Sequence, residues 1–378
     1  MIYYSYHVGR GWCTKNMDSN FDDMEQHATN LITFCTTQLS QILDSYSGKK
    51  LSIEPYFSVD TPINAKSTVL SGQYKITLNV GAYVAINNYY EDRLLGANKS
   101  YYQKITGENE YNSELAEYYF KLMRDISLLT LIYHECGHIY SGHLDCIAAS
   151  KPTTDGSASL NADNVSELTF TPIRHQAMEW NADDFSATRV IETFFGPYYW
   201  DEFNIPNQLS FSQLFWTIAN ATLVSYCMLG SKNETTDLMQ SVHLPAKFRA
   251  LAFIKTAEKK LQKWCGYDGI IPTMINDAIA IAKATAEVYD LNYRSILSNE
   301  ETAYYDLAEY ELLVRLPVAL LPFQHLQCIS LELMIHTAVR LFDSMTAEER
   351  ILLQKKLEAA GKHFPIDELR YLTDNIVD

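Results

Sequence analysis

The stretch "DISLLTLIYHECGHIY", residues 125–140, constrains the fold more than any other part of the chain. A mainly apolar run leads straight into His134, Glu135 and His138, with no turn residue between them. Such a run is typical of a helix that passes through a protein core. Residues four apart on a helix lie about 40° apart around its axis, so both imidazoles project from one face. The sequence therefore predicts a core helix that carries two histidines side by side.

The spacing of His134 and His138 is that of zinc ligands. Two neutral imidazole nitrogens at this spacing suit a tetrahedral zinc ion. Glu135 points to the side of that face, where its carboxylate can reach a metal-bound water rather than the metal. Zinc lowers the pKa of such a water, and the carboxylate takes its proton to give a hydroxide nucleophile. The motif predicts one zinc ion and hydrolytic chemistry. The alternative interpretation is a packed helix that holds two histidines by chance.

A hydrolytic zinc ion needs a third protein ligand and leaves the fourth position to water. One candidate is His143, at the end of "HECGHIYSGH". On a continuing helix it lies about 140° around the axis from His138. Its spacing also misses the His-x-x-Gly-x-x-His extension by one residue, so only a bend at Gly142 would bring it to the metal. The stretch "IYSGH" is therefore interpreted as the exit of the helix from the site.

The preferred third ligand lies on a separate helix, "HQAMEWNADDFSATRVIE". Glu179 and Asp183 lie one turn apart on one face of this helix. Asp183 is expected to accept a hydrogen bond from the outer nitrogen of a ligating histidine and so to orient it. Ala182 and Ala187 are small enough to permit a close approach of the two helices.

These motifs resemble those of the gluzincin zinc peptidases. Residues 179–183 match their Glu-x-x-Ala-Asp element, and residues 242–254, "VHLPAKFRALAFI", are similar to their His-Pro…Arg element. A further likeness is to the Lit-type phage-exclusion peptidases, which combine a His-Glu-x-x-His-x4-His run with both elements in this order. The likeness covers roughly residues 50–255 and is carried by three short motifs. Leu244 departs from it, because it separates the histidine from the proline.

The resemblance implies a role for each matching position. The zinc ligands would be His134, His138 and Glu179, with Glu135 as general base and Asp183 behind the ligands. His243 would stabilise the oxyanion of the tetrahedral intermediate, a task for a preorganised donor; the alternative is a histidine that caps or packs a helix start. Arg249 is expected to pair structurally with a carboxylate.

The same resemblance implies a function and partners. The chain would be a zinc-dependent endopeptidase with a narrow protein target, such as a translation factor, in anti-phage defence. A phage-derived activator would release its activity. Two alternatives stay open: a regulatory protease that cleaves a repressor or a membrane substrate, and a non-catalytic, zinc-stabilised binding protein.

Composition limits the partners and the location. The formal net charge of −16 argues against a nucleic-acid binder, since phosphate recognition needs clustered Lys and Arg. The seven cysteines are scattered without a Cys-x-x-Cys pair, and the opening residues lack the features of a signal peptide. We therefore expect reduced thiols and a cytoplasmic protein. Residues 203–231 carry no charge, but Gln213, Thr217 and Asn220 favour a buried helix over a membrane segment.

The expected fold class is α+β and helix-dominated, with a zincin-like core, a small sheet and a helical C-terminal extension. The regions are 1–112, 113–265 and 266–378. Helices are predicted at 18–47, 113–149, 175–195 and 346–361, and a polar loop at 150–164. Strands are predicted in "KKLSIEPYF" and "QYKITLNVGAYVAI", where apolar and polar residues alternate from Tyr74. The second strand, to Ile86, is interpreted as a core strand; the alternative is that it presents a sheet edge for an extended peptide.

Overall fold

The computed structural model is helix-dominated with one small sheet, which confirms the α+β class. It describes residues 17–47, 52–70, 72–96, 99–150, 158–159, 172–195 and 211–230, and single positions in 249–260 and 346–355. The elements are α1 (Met17–Ser47), β1 (Ile53–Ser58), β2 (Ala65–Leu70), β3 (Gln73–Asn79), α2 (Val80–Tyr90, continued by a π turn, Glu91–Leu95), α3 (Lys99–Thr106), α4 (Ser113–Tyr140), α5 (His143–Ser150), β4 (Ala158–Ser159), α6 (Pro172–Phe195) and α7 (Phe211–Gly230). Most of the predicted C-terminal region 266–378 lies outside the described residues, as does the predicted loop at 150–164 apart from its first residue and β4.

The sheet has the strand order β1-β3-β2-β4. β3 pairs with β1 in parallel and with β2 in antiparallel orientation, so both of its sides are occupied. The alternative that the strand from Tyr74 presents a sheet edge is therefore wrong. The strand also ends at Asn79 instead of reaching Ile86, because buried Ala82, Ile86 and Tyr90 recur at the period of a helix rather than of a strand.

β2 is a strand that the sequence analysis missed. Its buried residues Ala65, Ser67 and Val69 alternate with more exposed ones, which is the pattern of a half-buried strand. The hydroxyl of Ser67 lies on the inner face, where an apolar side chain is usual. A polar residue there weakens the alternation of apolar and polar residues by which a strand is predicted from sequence. The reason for a polar residue at this position is a contact with Glu135 in the functional site.

α4 is the central helix of the described structure, and it packs against α1, α6 and α7. Asn112 caps its start, since the Asn112 Oδ1 accepts hydrogen bonds from the backbone N–H groups of Glu114 and Leu115 at 2.9 and 3.1 Å. At the other end, Gly137 lies against α6 so closely that a Cβ atom there would stand 2.8 Å from the Ala182 Cα. The predicted close approach of the two helices at Ala182 is confirmed.

α7 occupies most of the uncharged stretch, and its described side chains are largely buried, as predicted. It is held to α4 by hydroxyl groups: the Ser127 Oγ donates to the Ala221 carbonyl at 2.8 Å, and the Ser225 Oγ donates to the Ser127 carbonyl at 3.1 Å. The second bond accounts for Ser225, one of the polar residues that interrupt an otherwise apolar helix. Among the described residues, no helix is long and apolar enough to cross a membrane.

Substitution of Gly137 by alanine tests the close approach of α4 and α6. The added methyl group overlaps the α6 backbone at Ala182, so we expect a loss of about 1–3 kcal/mol in the free energy of unfolding, as for other overpacked cores. The matched control is Lys121→Ala on the exposed side of α4, which should change this energy by less than about 0.5 kcal/mol. Urea unfolding measures both; equal values for the two variants would contradict the packing.

Candidate metal centre

α4 presents both histidines of the motif to one buried cluster, as predicted. His134 and His138 are 5% and 1% exposed, and their Nε2 atoms lie 3.1 Å apart. Two imidazole nitrogens this close need a proton or a cation between them, because two bare lone pairs repel each other. The Nε2 atoms are thus the nitrogens that face the centre of the cluster.

α6 supplies the carboxylate that completes the cluster. The Glu179 Oε2 lies 3.1 Å from the His134 Nε2, and the Glu179 Oε1 lies 3.5 Å from the His138 Nε2. Glu179 is 4% exposed, so its carboxylate faces the histidines rather than solvent. The structure therefore brings together the three residues that the sequence analysis assigns to metal binding.

His134, His138 and Glu179 form a group that can hold a metal ion. Zinc bonds of about 2.0–2.1 Å, arranged as a tetrahedron, place neighbouring ligand atoms about 3.3–3.4 Å apart. The 3.1 Å between the two Nε2 atoms is close to that value, and one ligand atom from each of the three residues lies within 4.8 Å of the other two. Two imidazoles and one carboxylate also form a donor set that suits zinc and related transition ions.

Asp183 stands behind the cluster, where the sequence analysis places it. Its Oδ1 lies 2.8 Å from the His134 Nδ1, so the outer ring nitrogen of that histidine donates to a carboxylate. This bond fixes the tautomer of His134 with the Nε2 lone pair towards the cluster. Burial alone lowers the pKa of His134, but Asp183 and Glu179 outweigh burial and raise that pKa above its usual range. Protons therefore compete with a metal for this ring.

Arg249 pairs with a carboxylate, as predicted, and the carboxylate is that of Asp183. The Arg249 Nε and one Nη donate to the two oxygens of Asp183 at 2.6 Å each, and its guanidinium lies 4.4 Å from the centre of the Tyr226 ring. Burial alone raises the pKa of Asp183, but Arg249 and His134 hold it below its usual range. Asp183 therefore remains an anion that accepts the proton of the His134 ring.

Glu135 lies beside the cluster and is held from the sheet. The Ser67 Oγ of β2 donates to the Glu135 Oε2 at 2.8 Å, and both side chains are buried. Burial raises the pKa of Glu135, although His134 and the Ser67 bond act in the opposite direction. A carboxyl with a raised pKa is a better proton acceptor near neutral pH. The sequence analysis did not find Ser67, because its partner is 68 positions away along the chain.

His143 does not join the three candidate ligands. α4 ends at Tyr140, and Gly142 adopts a left-handed conformation with φ of 73°, so the chain turns before α5 begins at His143. The turn brings the His143 Nδ1 to 2.8 Å from the His138 Nδ1, on the outer side of that ring. α4 thus ends just after the motif, as expected, but the chain turns back so that His143 stays in contact with His138. Burial lowers the pKa of His143 to about 3, so this ring is neutral.

His243 and Cys136 are two further side chains of chemical interest. His243 lies outside the described residues, so its predicted contact with an oxyanion stays a prediction. Cys136 lies within the motif but is fully buried, and burial raises the pKa of its thiol well above the usual range. A thiol in this state is a poor nucleophile, because thiolate chemistry depends on a lowered pKa.

Replacement of Arg249 by leucine tests the anchor of Asp183. The variant leaves a buried carboxylate without its main counter-charge, so the free energy of unfolding should fall by about 3–5 kcal/mol. Lys260→Leu is the control, because its bond to Glu192 is partly exposed and contributes less than about 1 kcal/mol. Chemical denaturation of both variants gives the comparison. A loss no larger for Arg249→Leu than for Lys260→Leu would contradict the anchor role.

Comparison of the chain with protein-family models, with curated proteins and with solved structures gave no match. The chemistry of the centre is therefore inferred from its own side chains. Within the part of the chain that the structure describes, these side chains form a buried group of two histidines and a glutamate that can hold a metal ion.

Proposed function

We propose that the chain is a zinc-dependent endopeptidase with a gluzincin-like core. The observation that carries the proposal is that two buried glutamates of the site have different partners. Glu179 faces the Nε2 atoms of both histidines, whereas Glu135, next to His134 in the chain, is turned towards Ser67 and is not one of the group. One glutamate is thus placed to bind a metal and the other to handle protons, as hydrolysis requires.

Zinc, when bound by His134, His138 and Glu179, supplies a Lewis acid that polarises a peptide carbonyl and acidifies water. Glu135 takes the proton from the attacking water and passes it to the departing amine. The hydroxyl of Ser67 holds one oxygen of that carboxylate and leaves the other to reach the water. His243 is the proposed donor to the oxyanion, on the strength of the sequence resemblance alone.

Asp183 and Arg249 support the reaction from behind. Because Asp183 accepts the outer proton of His134, that imidazole keeps its Nε2 lone pair directed at the cluster. Arg249 offsets the charge of Asp183, so the carboxylate does not add a further uncompensated charge to the buried centre. The bidentate pair also fixes the carboxylate plane, and with it the orientation of the histidine ring.

The proposed biological role rests on the motif resemblance. The resemblance of three short motifs to the Lit-type peptidases supports an anti-phage role, with cleavage of a single host protein such as a translation factor after a phage-derived signal. A regulatory protease would share the same chemistry and differ only in its target. A zinc-stabilised binding protein would share the metal and lack cleavage.

The substitution Glu135→Gln separates an enzyme from a binding protein. It removes the proton acceptor and retains the size of the side chain, so we expect bound zinc to remain and cleavage to fall by at least about 100-fold, the lower range for general base catalysis. The measurement is mass spectrometry of new protein N-termini in cells that express the parent or the variant, with zinc content determined on the purified proteins. The control is Glu114→Gln, at an exposed position of the same helix.

New N-termini that depend on Glu135 would also name the target and so distinguish phage defence from regulation. An identical set of N-termini in cells with the parent and with Glu135→Gln would contradict the proposed enzyme activity.

The substitution Glu179→Ala tests the third ligand. The parent should bind one zinc per chain, and the variant should bind it more than about 100-fold more weakly, because even groups behind the ligands account for about 10–100-fold. Competition with a chromophoric chelator measures the affinity. Glu192→Gln, on the same helix and paired with Lys260, should bind zinc as the parent does. Full zinc affinity in Glu179→Ala would show that Glu179 is not the third ligand.

A further inference from the structure

The third histidine of "HECGHIYSGH" has no role in the proposed chemistry, yet it is fully buried against a candidate ligand. The His143 Nδ1 lies 2.8 Å from the His138 Nδ1, while the other nitrogen of His138 faces His134 and Glu179. His143 is 0% exposed. A polar ring in such a place needs a partner, and His138 is one.

The direction of this hydrogen bond follows from the role of His138. Two ring nitrogens at 2.8 Å form a hydrogen bond only if one carries a proton and the other a lone pair. A histidine that binds a metal through Nε2 keeps its proton on Nδ1. The His138 Nδ1 is therefore the donor and the His143 Nδ1 is the acceptor. A neutral His143 then carries its own proton on Nε2.

We propose that His143 is a positioning residue that fixes the tautomer and orientation of His138; the proposal rests on the metal centre of the proposed function. The two histidines then have unlike partners, since His134 donates to the carboxylate of Asp183 and His138 donates to a neutral ring. A carboxylate behind both would place a fourth acid within the buried centre, beside Glu135, Glu179 and Asp183. A neutral acceptor orients the ring without that charge.

Two features fix the position of His143: the turn at Gly142 and the contact of α5 with the sheet. The left-handed Gly142 lets the chain reverse, and the Gly142 carbonyl accepts a hydrogen bond from the Cys146 N–H at 3.1 Å, so α5 starts at once. Two residues after His143, the Tyr74 hydroxyl of β3 donates to the Asp145 carboxylate, at 2.9 and 3.0 Å from its two oxygens. α5 is thereby fastened to the sheet, and its first residue is presented to His138 in a fixed position.

Two variants of similar shape test the acceptor. His143→Asn places an amide oxygen near the position of the Nδ1 atom, whereas His143→Leu has the same branching and no acceptor. We expect His143→Leu to bind zinc about 10–100-fold more weakly than the parent, as for other groups that orient ligands, and His143→Asn to stay within about threefold. Chelator competition with zinc alone measures the affinity, and thermal unfolding checks the fold of each protein.

A second measurement is made on the parent protein, with His143→Asn used only to assign its signals. In the zinc-loaded, 15N-histidine-labelled parent, NMR should show His143 with its proton on Nε2 and a bare, hydrogen-bonded Nδ1; the signals are assigned by their absence from His143→Asn. A proton on the His143 Nδ1 would overturn the proposal, as would equal zinc affinity of His143→Leu and the parent.

These failures are distinct from failure of the proposed function. A parent that binds no zinc removes the metal centre and the positioning role together. A parent that binds zinc and cleaves no protein removes the peptidase function and leaves the role of His143 intact.

Discussion

The contact between α4 and α6 at Gly137 is the constraint on which the rest of the site depends. Helices usually pack with their axes about 8–10 Å apart, and side chains at the contact set that distance. A glycine facing Ala182 brings the two backbones close together, as shown by the 2.8 Å that an added Cβ would leave to the Ala182 Cα. Glu179 lies about one helical turn before this contact, and its carboxylate reaches the Nε2 atoms of both histidines.

The close contact also buries charge, and the structure compensates for that charge in two places. Behind the cluster, the Arg249 guanidinium neutralises Asp183 through two bonds. In front, the carboxylate of Glu179 faces two imidazoles and needs a cation, which in the proposed function is zinc. Because burial of an uncompensated carboxylate is costly, metal binding and the stability of the α4–α6 contact are expected to be coupled.

Helical periodicity was sufficient to find the residues that α4 and α6 contribute. The i, i+4 spacing within each helix gives His134 with His138 and Glu179 with Asp183, and these are local relations that a single sequence displays. Ser67 and the contact of His143 were not accessible in this way. Ser67 reaches Glu135 across the sheet, and His143 reaches His138 only after the turn at Gly142, so both depend on tertiary structure. The sheet-edge alternative failed for a similar reason, since strand order is a long-range property.

The separation of roles between the two glutamates follows from which element faces each of them. Consecutive residues on a helix point about 100° apart, so Glu135 cannot share the face of its neighbour His134. That rotation turns Glu135 towards β2. There its carboxylate accepts a hydrogen bond from the hydroxyl of Ser67, at a position where an apolar residue is usual. Glu179 comes from a different helix, and its carboxylate faces the Nε2 atoms of both histidines. The proposed metal ligand and the proposed proton acceptor are thus kept apart by the layers of the fold: Glu135 is held from the sheet, and Glu179 lies on the second helix.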